Sequence, residues 1–338
     1  MSLAILAPGM LTTVQDAGRH DVRALGVGVG GAVDAYSYTV ANRLVGNPAT
    51  AAALEITWTG PTLRLRRAAR IALCGADIDA RANGIALPGW RSIDLPADCT
   101  LTLGPCRRGA RAYLAIDGGI DVPPVLGSRS TDLRGGFGGY EGRPLRAGDT
   151  LALAPTRLPK PVRRIAIAPW WIDHEPDLFF TDSIAVRVLS GHAATAPIDA
   201  LLSAEFAVSA ASNRQGLRLH GPPLRLADPR QHLSEPVVPG TIQLPPDGQP
   251  IVLLADAQTV GGYARIGHAI AADLPRLAQR RTGQRVRFIL VDAAHAARAD
   301  AAQRARLGKA ALAIGAAHLA AERGLPSFPQ ASGPHHRQ

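Results

Sequence analysis

Four short runs of the sequence combine amides, hydroxyls, acids and arginines in apolar or glycine-rich surroundings. They are residues 12–19 (TTVQDAGR), 127–132 (GSRSTD), 234–250, which includes GTIQLPPDGQP, and 255–263 (ADAQTVGGY). In runs of this kind a carboxylate accepts a proton, an arginine binds a carboxylate or phosphate, and an amide orients a substrate amide. Binding residues concentrate in such turns, although the same residue types also serve as satisfied turn formers.

Two glycine clusters suggest places where the backbone turns tightly or comes close to another group. Residues 26–31 (GVGVGG) match GxGxxG, but a dinucleotide site also needs a buried strand before the motif. The preceding segment is charged, so we interpret the run as a tight turn that leads to a helix capped by Asp34. The second cluster, residues 135–142 (GGFGGYEG), suits either an anion cradle built from backbone N–H groups or a mobile loop.

Other catalytic and metal-binding motifs are missing from the sequence. It contains no GxxxxGK[ST] motif, no GxSxG motif and no histidine pair at helical i,i+3 or i,i+4 spacing. The cysteines and histidines also lack the spacing of zinc fingers. We therefore predict no metal site, no P-loop and no serine-hydrolase elbow.

Composition narrows the class of protein. The 338 residues carry a formal net charge of +10, and only Lys160 and Lys309 are lysines, so the basic residues are almost all arginines. These arginines are scattered and aromatic residues make up only 4%, which disfavours nucleic-acid binding. No stretch approaches the ~20 apolar residues of a membrane span. Three cysteines without a CxxC pair, and an N-terminus without a basic segment, predict a cytoplasmic protein.

The first half has the pattern of a β domain with one helix. Alternation predicts strands at residues 62–65, 70–74, 99–103 and 110–116, and Asn83-Gly84 predicts a hairpin within residues 79–87. Asp34 is placed to cap a helix over residues 35–45, before Gly46-Asn47-Pro48. Short strands around a single helix favour a β-barrel over a doubly wound sheet.

The second half starts after a proline-rich linker. We place the domain boundary near residue 160, giving domains at 1–160 and 161–292, a helical extension at 293–323 and a disordered tail at 324–338. Strands are predicted at 185–189, 250–255 and 284–291, and helices at 269–281 and 293–323, the last one amphipathic. The segment GPTLRL at 60–65 recurs as GPPLRL at 221–226, which indicates either two related barrels or chance similarity.

Longer segments resemble a known family. They are PGMLTTVQDAGR at 8–19, GGAVDAYSYTVANRLVGN at 30–47, ALEITWTGP at 53–61, YLAIDGGIDVPPVLGSRSTD at 113–132, SNRQGLRLHGP at 212–222, SEPVVPGTIQLPPDGQPIVLLADAQTVGGYARIG at 234–267 and ADLPRLAQ at 272–279. Together they resemble the biotin-dependent carboxyltransferase family that includes the C subunit of 5-oxoprolinase, also called KipA-like or allophanate hydrolase subunit 2. The resemblance covers residues 5–292. One departure is Gln215, where the family usually has Met, with Leu217 in place of an aromatic residue.

The resemblance implies a mainly β fold of two cyclophilin-like β-barrel domains in tandem, with a few helices and a C-terminal helix. It implies ATP-dependent opening of the 5-oxoproline lactam to glutamate. Two alternatives stay open. One is biotin-dependent carboxyl transfer to urea or a related amide, and the other is a regulatory protein that antagonises a histidine-kinase inhibitor.

The chemistry of this reaction suggests roles for residues in the matching segments. Asp16, Glu55 and Asp256 are the candidate general bases or acceptors for the lactam N–H. Arg129 and Arg214 are candidate anchors for a carboxylate or phosphate. The remaining candidate substrate-binding residues are Gln15, Arg19, Ser128, Gln243, Gln258, Thr259 and Tyr263.

The resemblance also implies partners. ATP is expected in the complex, with its site on this chain or on a partner. Biotin, if used, has to be carried by another chain, because neither lysine lies in a biotinylation sequence. The expected partners are the other two components of a 5-oxoprolinase, a KipI-like B subunit and the A subunit, acting on a small amide or lactam.

Overall fold

The computed structural model describes residues 2–155, 158, 162–173, 181–191, 197–226 and 233–323. Most described residues outside loops are in β-strands, and the longest helix lies at the C-terminal end. The predicted boundary near residue 160, the linker residue Lys160 and the tail at 324–338 lie outside the described residues. Among those residues, no helix combines the length and the apolar character needed to cross a membrane.

The N-terminal half forms a ten-stranded sheet that branches at its longest strand. Its strands are β1 (Ser2–Ala7), β2 (Leu11–Gln15), β3 (Ala53–Thr57), β4 (Thr62–Leu65), β5 (Ala69–Ala82), β6 (Ile85–Ala86), β7 (Ile93–Leu95), β8 (Cys99–Ile116), β9 (Thr150–Ala152) and β10 (Ala166–Ile167). β8 pairs with β5, β4 and β3, and β3 pairs in turn with β2. Because β10 pairs with β7, residues 166–167 belong to the N-terminal sheet.

The C-terminal half closes into a seven-stranded barrel in the order β11-β18-β15-β16-β13-β12-β19. Its strands are β11 (Ser183–Ser190), β12 (Glu205–Val208), β13 (Gly216–His220), β15 (Thr241–Leu244), β16 (Ile251–Leu253), β18 (Ala264–Ala269) and β19 (Arg285–Leu290), and a separate ribbon joins β14 (Glu235–Pro236) to β17 (Val260–Gly261). Parallel pairing of β11 with β19 closes the barrel. The predicted mainly β fold, with few helices and a C-terminal helix, is confirmed; the cyclophilin-like description stays a prediction.

Four α-helices are described: α1 (Ala35–Leu44), α2 (Ile198–Ser203), α3 (Leu274–Ala278) and α4 (Ala293–Glu322). Asp34 caps α1 as predicted, since its side chain accepts a hydrogen bond from the Ser37 N–H. On α4, Ile314 packs against the cluster around α1, but Leu312 and Leu319 are exposed. The apolar side chains of α4 are therefore less segregated than an amphipathic helix requires.

Local sequence signals predicted the N-terminal elements well. Asn83 and Gly84 both have positive φ angles, +47° and +85°, in the turn between β5 and β6, as a two-residue hairpin turn requires. The two strands predicted at 99–103 and 110–116 form the single strand β8. The helix predicted at 269–281 is shorter than expected: Ala269 ends β18, a 3-10 turn covers Ala271–Asp273, and α3 continues it over Leu274–Ala278. Ala269 pairs there with Val188 of β11, so barrel pairing delays the start of the helical segment.

The side chain of Gln279 joins the two halves. Its oxygen accepts hydrogen bonds from the N–H groups of Ala110 and Arg111, both at 3.1 Å. Its nitrogen donates to Asp34 Oδ2 at 2.7 Å and to the Arg111 carbonyl at 2.9 Å. Gln279 is fully buried, so water could not take its place as the hydrogen-bond partner of these groups.

We expect Gln279→Ala to lower the free energy of unfolding by about 2–4 kcal/mol, because buried donors and acceptors lose their partner. Chemical denaturation followed by circular dichroism measures this change. Gln303→Ala is the matched control, since Gln303 makes one hydrogen bond, to Ala272, in partly exposed surroundings. A change below about 0.5 kcal/mol in Gln279→Ala, the size usual for surface substitutions, would contradict a joining role.

Candidate functional site

A cleft of about 940 Å³ lies where the two halves meet. The N-terminal half contributes residues from the glycine run 26–30 and from the turn 132–137. The C-terminal half contributes Gln215 and residues 256–260. Sites between domains are common places for small ligands, and this cleft combines backbone, amide, carboxylate and guanidinium groups.

Glycine lets the two walls approach each other. A Cβ atom on Gly28 would lie 2.9 Å from the carbonyl oxygen of Ala257, which is too close for another side chain. Gly30 has a φ angle of +63°, and its N–H donates to the Ala255 carbonyl at 3.0 Å. The run 26–31 is thus a turn that presses the N-terminal half against the end of β16, as the tight-turn interpretation predicted. A 3-10 helix, Arg23–Leu25, precedes it instead of the buried strand of a dinucleotide site.

Asp256 is the carboxylate in the wall of the cleft. It accepts two hydrogen bonds from Arg214, Nε to Oδ2 at 2.8 Å and Nη2 to Oδ1 at 2.8 Å. The backbone supports this pair, because the Asp256 N–H donates to the Arg214 carbonyl at 3.0 Å. Asp256 follows β16 and Arg214 precedes β13, and these two strands pair with each other. The barrel register therefore aligns the two side chains.

Arg214 also crosses to the N-terminal half. Its Nη1 donates to Glu55 of β3 and its Nη2 donates to the Gly31 carbonyl at 2.7 Å. The guanidinium is only 4% exposed. Burial alone would lower the pKa of Arg214, but Asp256 and Glu55 raise it above the ordinary arginine value. Arg214 is therefore a buried cation held between two carboxylates, one from each half.

Glu55 is enclosed on every side. Its second oxygen accepts from the Tyr113 hydroxyl at 2.7 Å and from the Val33 N–H at 3.0 Å, and the residue is 1% exposed. Burial raises its pKa, but the charges of Arg214 and Arg111 outweigh that effect, so the pKa lies below the ordinary glutamate value. Glu55 is therefore an ionised support for Arg214 and has no face towards the cleft.

Asp34 continues this network beneath α1. Its backbone N–H donates to the Tyr113 hydroxyl at 2.8 Å. Its Oδ2 accepts from Ser37 Oγ at 2.7 Å as well as from Gln279. Burial raises the pKa of Asp34 above its ordinary value. The polar chain from Asp256 to Gln279 thus runs through the junction of the two halves.

Asp16 joins two of the predicted polar runs. Its Oδ1 accepts from Ser128 Oγ at 2.6 Å and from Ser130 Oγ at 2.5 Å. The backbone N–H groups of Gly18 and Arg129 donate to the same carboxylate, at 2.8 and 2.5 Å. The guanidinium of Arg129 turns away to the Val122 carbonyl. Asp16 therefore positions the 127–132 loop, and its oxygens are occupied by these contacts.

Arg19 lies behind the glycine wall. Its Nε donates to Val125 O at 3.3 Å and its Nη2 donates to the Ser130 carbonyl. Its guanidinium stacks over Phe137, 4.8 Å from the ring centre. Burial lowers the pKa of Arg19, although neighbouring acids oppose the change. Nη1 is buried without a partner among the described residues, and it would lie 3.2 Å from a Cβ on Gly30.

Amide side chains form the wall next to Asp256. Gln258 Nε2 donates to Gln243 Oε1 at 3.2 Å, and the Gln243 amide nitrogen is buried without a partner among the described residues. Thr259 follows in the same lining. The Thr259 carbonyl accepts from the Val237 N–H at 3.0 Å and ties the wall to the β14–β17 ribbon. This wall offers amide donors and acceptors beside one carboxylate.

The structure divides the predicted site residues into three groups. Those that line the cleft are Asp256, Gln258 and Thr259. Those directly behind its walls are Arg19, Glu55, Arg214 and Gln243. Those outside the lining are Gln15, Asp16, Ser128, Arg129 and the exposed Tyr263. The catalytic roles predicted for Asp16 and Glu55 stay predictions, and neither carboxylate has an open face.

Sequence reasoning missed part of the lining. Asp132, Arg134 and Phe137 line the cleft; none is among the individually named site residues, although Asp132 ends the polar run 127–132 and Phe137 belongs to the glycine cluster 135–142. Gln215 was recognised only as a departure from the family. The second glycine cluster was the available signal, since Gly135 belongs to both the cluster and the cleft.

No group of three or more His, Cys, Asp or Glu side chains is arranged to hold a metal ion within the part of the chain that is described. The three cysteines are free and buried.

Comparison with known proteins places this arrangement in a family. The family model described as carboxyltransferase domain, subdomain A and B, matches residues 25–290. The chain belongs to this carboxyltransferase family. The match contains the whole cleft and ends before α4.

Relatives of two kinds share the carboxyltransferase domain. The chain is 41% identical to the C subunit of 5-oxoprolinase from Escherichia coli (strain K12), over 85% of this chain and 90% of the relative. The corresponding 5-oxoprolinase C subunit of Haemophilus influenzae is 34% identical with the same coverage. The crystal structure of Kluyveromyces lactis urea amidolyase superposes on 91% of this chain with a TM-score of 0.80 and 30% identity. This chain spans only 20% of that larger protein.

We expect Glu55→Gln to lower the free energy of unfolding at pH 7 by about 3–5 kcal/mol, because Arg214 loses a buried ionic partner. The folded-state pKa of Glu55 is depressed, so its stabilisation is present above the unfolded-state pKa and is lost as pH falls through the folded-state pKa. Denaturant titrations from pH 7 downwards measure both effects.

Glu205→Gln is the control for this experiment, since Glu205 forms an exposed ion pair with Arg285 and should change stability by less than about 1 kcal/mol. A gap between wild type and Glu55→Gln that stays constant at all acidic pH values would contradict an ionised Glu55.

Proposed function

We propose that this chain is the C subunit of an ATP-dependent 5-oxoprolinase, which opens the 5-oxoproline lactam to glutamate together with partner subunits. The observation that carries the proposal is Asp256, a carboxylate fixed in an interdomain cleft beside the amide of Gln258. The similarity to the 5-oxoprolinase C subunit of Escherichia coli, over 85% of this chain, supports it.

The residues of the cleft suit recognition of an amide. In our proposal Asp256 accepts the hydrogen of the lactam N–H, while the side-chain amides of Gln258 and Gln215 donate to the lactam carbonyl oxygen. Amide donors that hold this oxygen also stabilise negative charge that develops on it when the ring opens. Arg214 keeps Asp256 in one orientation, which is the main requirement of such a site.

ATP fits this cleft poorly. The lining carries two carboxylates, Asp132 and Asp256, against the single guanidinium of Arg134. One guanidinium supplies too little positive charge for a triphosphate, and the sequence has no P-loop. We therefore propose that ATP binds to a partner, either the KipI-like B subunit or the A subunit. The cytoplasmic location expected from the unpaired cysteines is part of the same proposal.

Carboxyl transfer to a urea-like substrate is the second candidate. Likeness to the urea amidolyase structure over 91% of the chain favours it. A wall of amides beside a carboxylate would also hold urea or the neutral ureido ring of biotin. Biotin would supply the carboxyl group and would have to arrive on another chain, since Lys309 lies on α4, outside the family match.

The deciding experiment measures 5-oxoproline-dependent ATP hydrolysis and glutamate release by the co-purified subunits, with and without this chain. Glutamate that appears only when the chain is present supports the proposal. Carboxylation of urea without any glutamate would favour the second candidate. Partner binding without turnover of either substrate would favour the regulatory alternative, in which the protein antagonises a histidine-kinase inhibitor.

We expect Asp256→Asn to lower kcat for 5-oxoproline by about 10²- to 10⁴-fold, because the lactam N–H loses its charged acceptor. Steady-state kinetics of the assembled complex measure this. Asp247→Asn is the control, since Asp247 lies in an exposed turn where it accepts from the Gln249 N–H. Retention of more than half the wild-type kcat by a folded Asp256→Asn complex would contradict the role of Asp256.

A further inference from the structure

The turn at residues 132–137 holds Arg134 in a defined place in the cleft. Asp132 Oδ1 accepts from the backbone N–H groups of Arg134 and Gly135, at 3.0 and 2.8 Å. The Asp132 N–H donates to the Phe137 carbonyl at 2.9 Å and closes the turn. Phe137 is held in turn by Arg19, which stacks over its ring. The exposed Arg134 side chain therefore extends from a well-anchored backbone.

The charges around the cleft leave Arg134 unneutralised. Asp256 is paired with Arg214 through two hydrogen bonds. Asp132 acts electrostatically on the buried guanidinium of Arg19, and its Oδ1 is held by the turn. Asp256 is thus paired within the protein, and one oxygen of Asp132 is committed to the turn. Within the described residues, the Arg134 guanidinium makes no hydrogen bond or ion pair.

A second cationic group supports the same wall. Arg19 Nη1 is buried and without a partner in the described part of the chain, next to Gly30 of the lining. A buried N–H group without an acceptor is unfavourable, so an anion in the cleft would gain from this fixed positive charge. Arg134 and Arg19 therefore make the 132–137 side of the cleft favourable for a small anion, opposite the amide wall.

We infer that Arg134 selects substrates that carry a carboxylate, so that the cleft takes an anionic cyclic amide in preference to a neutral amide or urea. This inference rests on the proposed function, because it assigns the two ends of one substrate to the two walls. The amide of the substrate meets Asp256 and Gln258, and its carboxylate meets Arg134. A guanidinium binds a carboxylate with two parallel hydrogen bonds, which also fixes orientation.

The test compares 5-oxoproline with 2-pyrrolidinone, which is the same lactam ring without the carboxylate. Arg134→Gln in the assembled complex should raise KM for 5-oxoproline about tenfold or more, the effect of losing one charge-assisted hydrogen bond. Its kcat should change less than twofold, and Arg134→Lys should restore most of the loss. Calorimetry should show that wild type binds 5-oxoproline at least tenfold more tightly than 2-pyrrolidinone, and that Arg134→Gln abolishes this preference.

Arg81→Gln is the matched control, because Arg81 is an exposed arginine of β5 in the 79–87 hairpin. Normal glutamate release with an Arg134→Gln KM within twofold of wild type would overturn the inference and leave the proposed function standing. If the wild-type complex releases no glutamate, the proposed function is wrong and calorimetry decides the inference alone. Equal binding of the two lactams by wild type would overturn it.

Discussion

The buried ion pairs of Arg214 are the interaction on which the junction of the two halves depends. One guanidinium, 4% exposed, is neutralised by Asp256 from its own half and by Glu55 from the other. Removing a partner from a buried charge is strongly destabilising, and separation of the halves would break the Glu55 contact and leave Arg214 with Asp256 alone. The same contacts fix Asp256 in the wall of the cleft. Stability and the geometry of the site therefore have one cause.

Close backbone approach is the second constraint. The glycine run 26–31 lies against the chain at 255–257, where a Cβ on Gly28 would collide with the Ala257 carbonyl. This contact brings an N-terminal loop and a barrel loop to opposite sides of one cleft. A GxGxxG pattern here serves the packing of the two halves of the chain, and the motif alone did not distinguish this use from phosphate binding.

Sequence patterns predicted elements where local physics decides the structure. The Asn83-Gly84 hairpin and the Asp34 cap depend on backbone conformation and on hydrogen bonds within a few residues. The helix predicted at 269–281 begins only at Ala271, because Ala269 pairs within the barrel. That pairing involves β11, about 80 residues away, and no window of local sequence contains it.

The sequence by itself determined the family, the mainly β character and the polar runs from which the site is drawn. Only the tertiary structure decided which of three candidate carboxylates faces the cleft. Asp16 is occupied by Ser128, 112 residues away, and Glu55 by Arg214, 159 residues away. Burial and pairing over such separations depend on how the halves pack, and they decide which carboxylates support the structure and which one lines the cleft. Asp256 still lines the cleft, because its partner Arg214 belongs to the same barrel and contacts it from the side away from the cleft.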